Sequence, residues 1–233
     1  MKSALATPLR AWMLRAFPRG DGDIDYEQPP GDPGLFGPDS ATWQVHADFP
    51  GMLSGGLCAL MLQTLHPAAL AGVWDHSNFR QDLVGRLRRT THFVAGTSYA
   101  SRAEAERLVE RVRRIHSRVR GVTETGQAYS ADDPALLTWV HVTEAYGFVQ
   151  GYRRYCGPLP RREADRYYDE TRAVAEALGA REVPRSEAGI EDYFRAVQPT
   201  LACTARSRPV LEVLARMQLP LPLRGLSRDV RRA

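Results

Sequence analysis

The six histidines of this 233-residue chain, His46, His66, His76, His92, His116 and His141, are its first candidates for chemistry. None belongs to an HExxH motif, and no glutamate stands three residues before a histidine. The helix signatures of zinc peptidases and carboxylate di-iron proteins are therefore missing. So are GxSxG, Walker and strand-borne GxGxxG motifs, which removes ordinary hydrolase and nucleotide-binding readings. His116 is the most informative. In AEAERLVERVRRIHSRVRG it shares a helix face with Val109, Val112 and Val119, while Arg111, Arg114 and Arg118 lie largely away from it. An imidazole on a buried stripe is either a core residue satisfied by one hydrogen bond or a ligand. A single histidine cannot hold a bare metal ion, but one axial histidine suffices for haem iron.

GRLRRTTHF supplies the second group. Arg86 and Thr90 are four apart and share a helix face, and Arg89 borders it. Two guanidiniums and a hydroxyl suit haem propionates or a polar gas-binding pocket, and equally a salt-bridged surface patch. His66, followed by Pro67 inside the most apolar part of the chain, is a pocket-lining residue or a helix C-cap. His141, in LLTWVHVTEAYGF, is expected to hydrogen-bond within the core.

The elements that carry these residues read as helices. Between Phe49 and Trp74 there is no Asp, Glu, Lys or Arg, a run long enough in principle for a bilayer. Gly55-Gly56, Gln63 and Pro67 interrupt it, so two buried helices with a corner at His66-Pro67 are expected. Ser101 caps a helix from Arg102 to about Arg120, stopped by Gly121. Asp132-Asp133-Pro134 starts another that runs to about Cys156. Pro160 opens the next, which Gly179 ends, and shorter helices follow at Glu187 to Val197 and around Val210 to Met217. No stretch shows sustained period-two alternation with hairpin turns, so the fold class is all-α, a single helical bundle over residues 35–218. Residues 1–34 read as a basic arm and an acidic Pro/Gly-rich linker, and 219–233 as a basic tail. The arm lacks a signal-peptide core and is read as packing on the domain or touching a membrane surface.

Composition narrows the classes further. With 43% hydrophobic and 25% charged residues the chain is an ordinary folded protein. Three scattered cysteines, Cys58, Cys156 and Cys203, make neither a disulfide framework nor a thiolate zinc site, which points to a cytoplasmic, reducing location. A net charge of +4 is too weak for a committed nucleic-acid binder. Its distribution says more. Eleven arginines against four acids lie between Arg80 and Arg120, an excess that could face phosphate, a carboxylated cofactor or an anionic lipid.

The order of GLFGPDSATWQVHAD, LHPAALAGVWDHSNFRQDLVGRLRRTTHFV, AEAERLVERVRRIHSRVRG, YSADDPALLTWVHVTEAYGF and GPLPRREADRYYDE resembles the MpaB/latex clearing protein oxygenase family over residues 35–200. That resemblance implies an all-helical fold, a b-type haem, dioxygen and a hydrophobic, unsaturated isoprenoid or lipid-like substrate. By position it makes His116 the proximal iron ligand, with Arg86 and Thr90 lining the haem pocket. Arg89 stands where latex clearing proteins carry a lysine able to sit over the iron, and a guanidinium cannot coordinate there. Leu70 and Ala71 occupy the neighbourhood where the rubber-cleaving branch has an acidic residue. On this reading Arg86, Arg89 and Thr90 assist catalysis, and His66 lines the distal side. The second expectation is a helical haem-binding or sensing protein without turnover.

Overall fold

A computed structural model describes residues 24–26 and 28–216. The basic arm with the start of the linker, residues 1–23, and the basic tail, 219–233, lie outside the described residues.

The long apolar run is two helices, α2 (Phe49–Gln63) and α3 (Pro67–His76), after the short α1 (Ala41–His46). Pro67 opens α3 as its first residue, and the two axes meet at 105°. No single helix among the described residues is long and apolar enough to cross a bilayer. Next come α4 (Leu83–Tyr99), α5 (Arg102–His116), a small hairpin of β1 (Arg120–Val122) and β2 (Ala128–Ser130), and the 22-residue α6 (Pro134–Tyr155). The chain continues through α7 (Arg161–Leu178), α8 (Glu187–Val197) and α9 (Ser207–Arg216). The fold is all-α, with this one hairpin added.

At the centre, α2 and α6 run antiparallel with their backbones almost in contact. A Cβ placed on Gly55 would stand 2.6 Å from the Gly147 carbonyl carbon, and one on Gly51 would stand 3.1 Å from that of Gly151. Only glycine permits this approach. The flank of α6 carrying Val142, Val149 and Tyr152 packs with Val45 of α1, Tyr167 and Tyr168 of α7, and Ile190 of α8. Arg153 ties α8 to α6 through paired contacts with the Glu187 carboxylate, and this pairing holds that carboxyl below its usual range.

Helix ends are fixed by side chains rather than propensity. Asp48, Asp82, Ser101, Asp133 and Ser186 each accept from a first-turn N–H of their helix. The N-terminus of α1 is capped from another helix. Glu170 of α7 accepts from Thr42 N–H and the Thr42 hydroxyl, both at 2.9 Å, and from Ala41 N–H at 3.3 Å. A carboxylate there also meets the positive end of the helix dipole. At the other end of α7, Gly179 takes a positive φ of 114° and stops the helix.

The expected helix from Arg102 to about Arg120 ends earlier, at His116. Gly121 lies in β1 instead of at a helix stop, because the chain turns to pair Arg120 with Ser130 and Val122 with Ala128. These three-residue strands are too short to show alternation. Gly121 leaves room for the buried Tyr129 ring, whose hydroxyl donates to Asp75 at 3.0 Å.

The seam makes a sharp distinction between neighbouring glycines. A Cβ at Gly147 meets Gly55 backbone, whereas at Gly56 it meets only the Phe148 ring at 3.7 Å. Gly147→Ala is expected to lose about 1–3 kcal/mol through overpacking, despite alanine's helix preference. Gly56→Ala should be neutral or stabilising by up to about 1 kcal/mol. Urea unfolding midpoints of the two variants check this.

Candidate functional site

One face of α2 and α6 turns away from the core and, with α3, α4, α5 and the hairpin, encloses a cavity of about 510 Å³. That volume is within the ordinary range for small-molecule and cofactor sites. Its walls are mainly apolar: Met52, Leu53 and Leu60 of α2, Val73 of α3, Val94 of α4, and Val140 and Phe148 of α6. The mouth lies where exposed residues border it, Thr90 and Thr91 of α4 opposite Ile115 of α5.

His116 sits on this wall in the last turn of α5. Its Nδ1 is buried without a partner, and the ring makes no hydrogen bond among the described residues. Burial holds its pKa below the ordinary histidine value, against the opposing pull of Asp132. The imidazole is therefore neutral at physiological pH and has a lone pair to offer. Arg86 also lines the cavity. Burial and the nearby Arg89 charge lower its pKa, and Glu144 opposes them. Thr90 lies one turn on, its hydroxyl donating to the Arg86 carbonyl at 3.2 Å.

The structure thus brings His116, Arg86 and Thr90 together and leaves Arg89 and His66 out of the lining. Arg89 is on the solvent side of α4, 3.7 Å from Asp82 and within 3.5 Å of Asn78 Oδ1. His66 is the N-cap of α3 rather than a C-cap of α2. Its Nδ1 accepts from Ala69 N–H at 3.5 Å, and its ring tilts against Trp139. Pro67 at the first helical position fixes that arrangement.

Two wall residues were missed in the sequence. Glu144, on α6, is the sole charged residue between Asp133 and Arg153, a signal that could have marked it. Desolvation pushes its carboxyl up to about 7, with Arg86 pulling the other way. His46, on α1, is held at both nitrogens. Its Nδ1 is 2.7 Å from Ser98 Oγ and its Nε2 is 2.8 Å from the Tyr167 hydroxyl. Ser98 commits its own proton to the Val94 carbonyl at 2.6 Å, so Nδ1 is the donor and Nε2 accepts from Tyr167. Desolvation first, and then His141, lower the pKa of His46 to about 3. No sequence pattern marked this residue, since its partners come from two other helices. His141, expected to hydrogen-bond within the core, makes no hydrogen bond among the described residues. It borders a smaller chamber of about 50 Å³, and burial lowers its pKa to about 4.

Among the described residues no three His, Cys, Asp or Glu side chains gather to hold a bare metal ion. A neutral imidazole with an uncommitted ring, on the wall of a large apolar chamber, instead fits an iron already held in a macrocycle. Fold and site define an all-helical protein built around a large, mainly apolar cavity, with the His116 ring on its wall unpartnered among the described residues. The chain belongs to the family described as ER-bound oxygenase mpaB/B'/rubber oxygenase, catalytic domain, which it matches over residues 43–233. No curated protein and no solved structure matches it.

The buried ionisable groups give stability a definite pH dependence. Glu144 has a folded pKa above its ordinary value of 4.5, so stability falls as pH rises through that window to about 7. His46 and His141 have folded pKa values below 6.5, so their contribution is present above that pH and lost as pH falls toward about 3 for His46 and about 4 for His141. Glu144→Gln should therefore be more stable than the parent at alkaline pH by ~3 kcal/mol, with the difference vanishing below the ordinary glutamate pKa. Denaturant midpoints measured across pH check this.

Proposed function

We propose that the protein is a haem b-dependent oxygenase that uses dioxygen on an apolar, unsaturated, isoprenoid or lipid-like substrate. The observation that carries this reading is the unpartnered, neutral His116 on the wall of a 510 Å³ apolar cavity in a chain of the oxygenase family. His116 would hold the iron. When bound, the haem supplies the one-electron and dioxygen chemistry that no side chain can provide.

The remaining work falls to the chain's own residues. Arg86, half-buried on the wall, offers a fixed positive charge to a propionate or to negative charge developing on an oxygen species. Thr90 presents its oxygen near the mouth, where it accepts or donates a hydrogen bond at the edge of the chamber. Met52, Leu53, Leu60 and Phe148 exclude water and bind a hydrocarbon through its apolar surface. Arg89 has no place in this chamber, so the role inferred for it passes to Arg86.

Protein purified from cells supplied with a haem precursor should show an intense Soret band, lost in His116→Ala. Arg86→Ala should retain haem with a shifted spectrum, and Arg89→Ala should match the parent. A colourless, folded parent protein after reconstitution with haemin would overturn the reading. Oxygen uptake on addition of an isoprenoid or unsaturated fatty acid separates an oxygenase from a haem-binding protein without turnover.

A further inference from the structure

Beside the large cavity lies the smaller pocket of about 50 Å³, itself partly open, and His46, Val94, Glu144 and Phe148 border both. These four side chains are a partition. Glu144 is half-buried, borders both spaces and makes no side-chain hydrogen bond among the described residues. His141, one turn earlier on α6, is likewise half-buried and without a hydrogen bond among the described residues, and it borders the smaller pocket but not the large cavity. Two half-buried polar side chains that border one small space and have no hydrogen bond among the described residues draw their partners from water in that space. A chamber of 50 Å³ has room for more than one water, since each requires about 10–15 Å³ of such volume and two to four polar partners. Glu144, His141 and the Tyr167 oxygen provide them.

We propose that the small chamber is a water site, and that Glu144 is a proton-exchanging group on the partition, linked through that water to His141. The inference rests on the reading of the large cavity as a reaction chamber, and it concerns proton supply alone. The carboxyl O–H of Glu144 breaks as its proton bonds to an acceptor in the large cavity. The carboxylate then takes a proton from the pocket water, which regains one from His141 as that ring releases a proton at one nitrogen and takes one from solvent water at the other, so the net proton comes from solvent. One proton moves and no electron does.

The charges around Glu144 suit this role. Arg86 on α4 is the cation that acts on it among the described residues. His46 from α1 is neutral and fully hydrogen-bonded, and Tyr167 from α7 keeps its proton because burial raises its pKa. His141 on the same helix is neutral. Tyr99 of α4 lines the same cavity and is held protonated by burial. Glu170 is committed to the end of α1. Desolvation and Arg86 therefore oppose each other across a single carboxyl, which lets it both give and take a proton near neutrality.

Infrared difference spectroscopy on the full, haem-free chain tests this without reference to turnover. A protonated-carboxyl band that titrates near neutral pH should be present in the parent and lost in Glu144→Gln. Should that variant not fold, Glu144→Asp must displace the band instead. Arg86→Met should move the midpoint upward by about tenfold in proton affinity. In heavy water the band should shift rapidly in the parent, and His141→Phe, which fills the chamber, should abolish the fast phase. A titrating band that survives Glu144→Gln overturns the proposal. So does exchange in His141→Phe as fast as in the parent, because the proton route would then run through the large cavity. Loss of the Soret band with this infrared behaviour intact would sink the haem reading and leave the relay standing.

Discussion

Everything in this fold hangs on how closely α2 can approach α6. Gly51 and Gly55 face Gly151 and Gly147, backbone against backbone, with no side chain between them. Such an approach lets dispersion act between two main chains at close range, and it fixes where every other side chain of both helices must point. One flank of α6 then builds the aromatic and aliphatic core with α1, α7 and α8. Another flank, with the opposite side of α2, becomes the cavity wall. A wider separation would leave the core underpacked and the cavity without a floor. The arrangement is a division of labour within one helix: Trp139, Val142 and Val149 are sealed in packing, while Val140, Glu144 and Phe148 look into open space.

The electrostatics follow from the same geometry. Glu144 is the single charged residue over nineteen positions of α6 because the rest of that stretch faces protein. Withdrawing it from water raises its proton affinity to the neutral range, where a carboxyl is most responsive. The same withdrawal keeps His116, His141 and His46 neutral. One mechanism, desolvation by the cavity-bearing helices, thus keeps the His116 lone pair free of a proton and sets a carboxyl near its midpoint. Arg86 is the counterweight that limits how far desolvation raises the proton affinity of Glu144.

How much of this was legible in the residues depended on whether a signal was local. The stripe of Val109, Val112 and His116 marked a buried helix face, and caps such as Ser101 and Asp133 marked where helices begin. The corner at His66-Pro67 was visible because proline forbids a continuous helix. Helical spacing also put Arg86 with Thr90, but it could not tell on which side of α4 Arg89 falls. That depended on Asp82 and Asn78, which draw its guanidinium outward. The partners of His46 come from α4 and α7, and no local pattern announces them. Likewise the spacing Gly51-x₃-Gly55 and Gly147-x₃-Gly151 is plain in the sequence, yet nothing in it says that the two pairs meet.

The cavity has a mechanical meaning as well as a chemical one. A chain that encloses about 510 Å³ of unpacked space beside an otherwise dense core has a large partial volume for its mass. Unfolding releases such internal space, so hydrostatic pressure favours the unfolded chain. A ligand that fills the chamber removes the reason for that preference. Compressibility therefore becomes a property shared between protein and ligand, and the glycine seam, which contains no voids to lose, is the part of the molecule that pressure would disturb least.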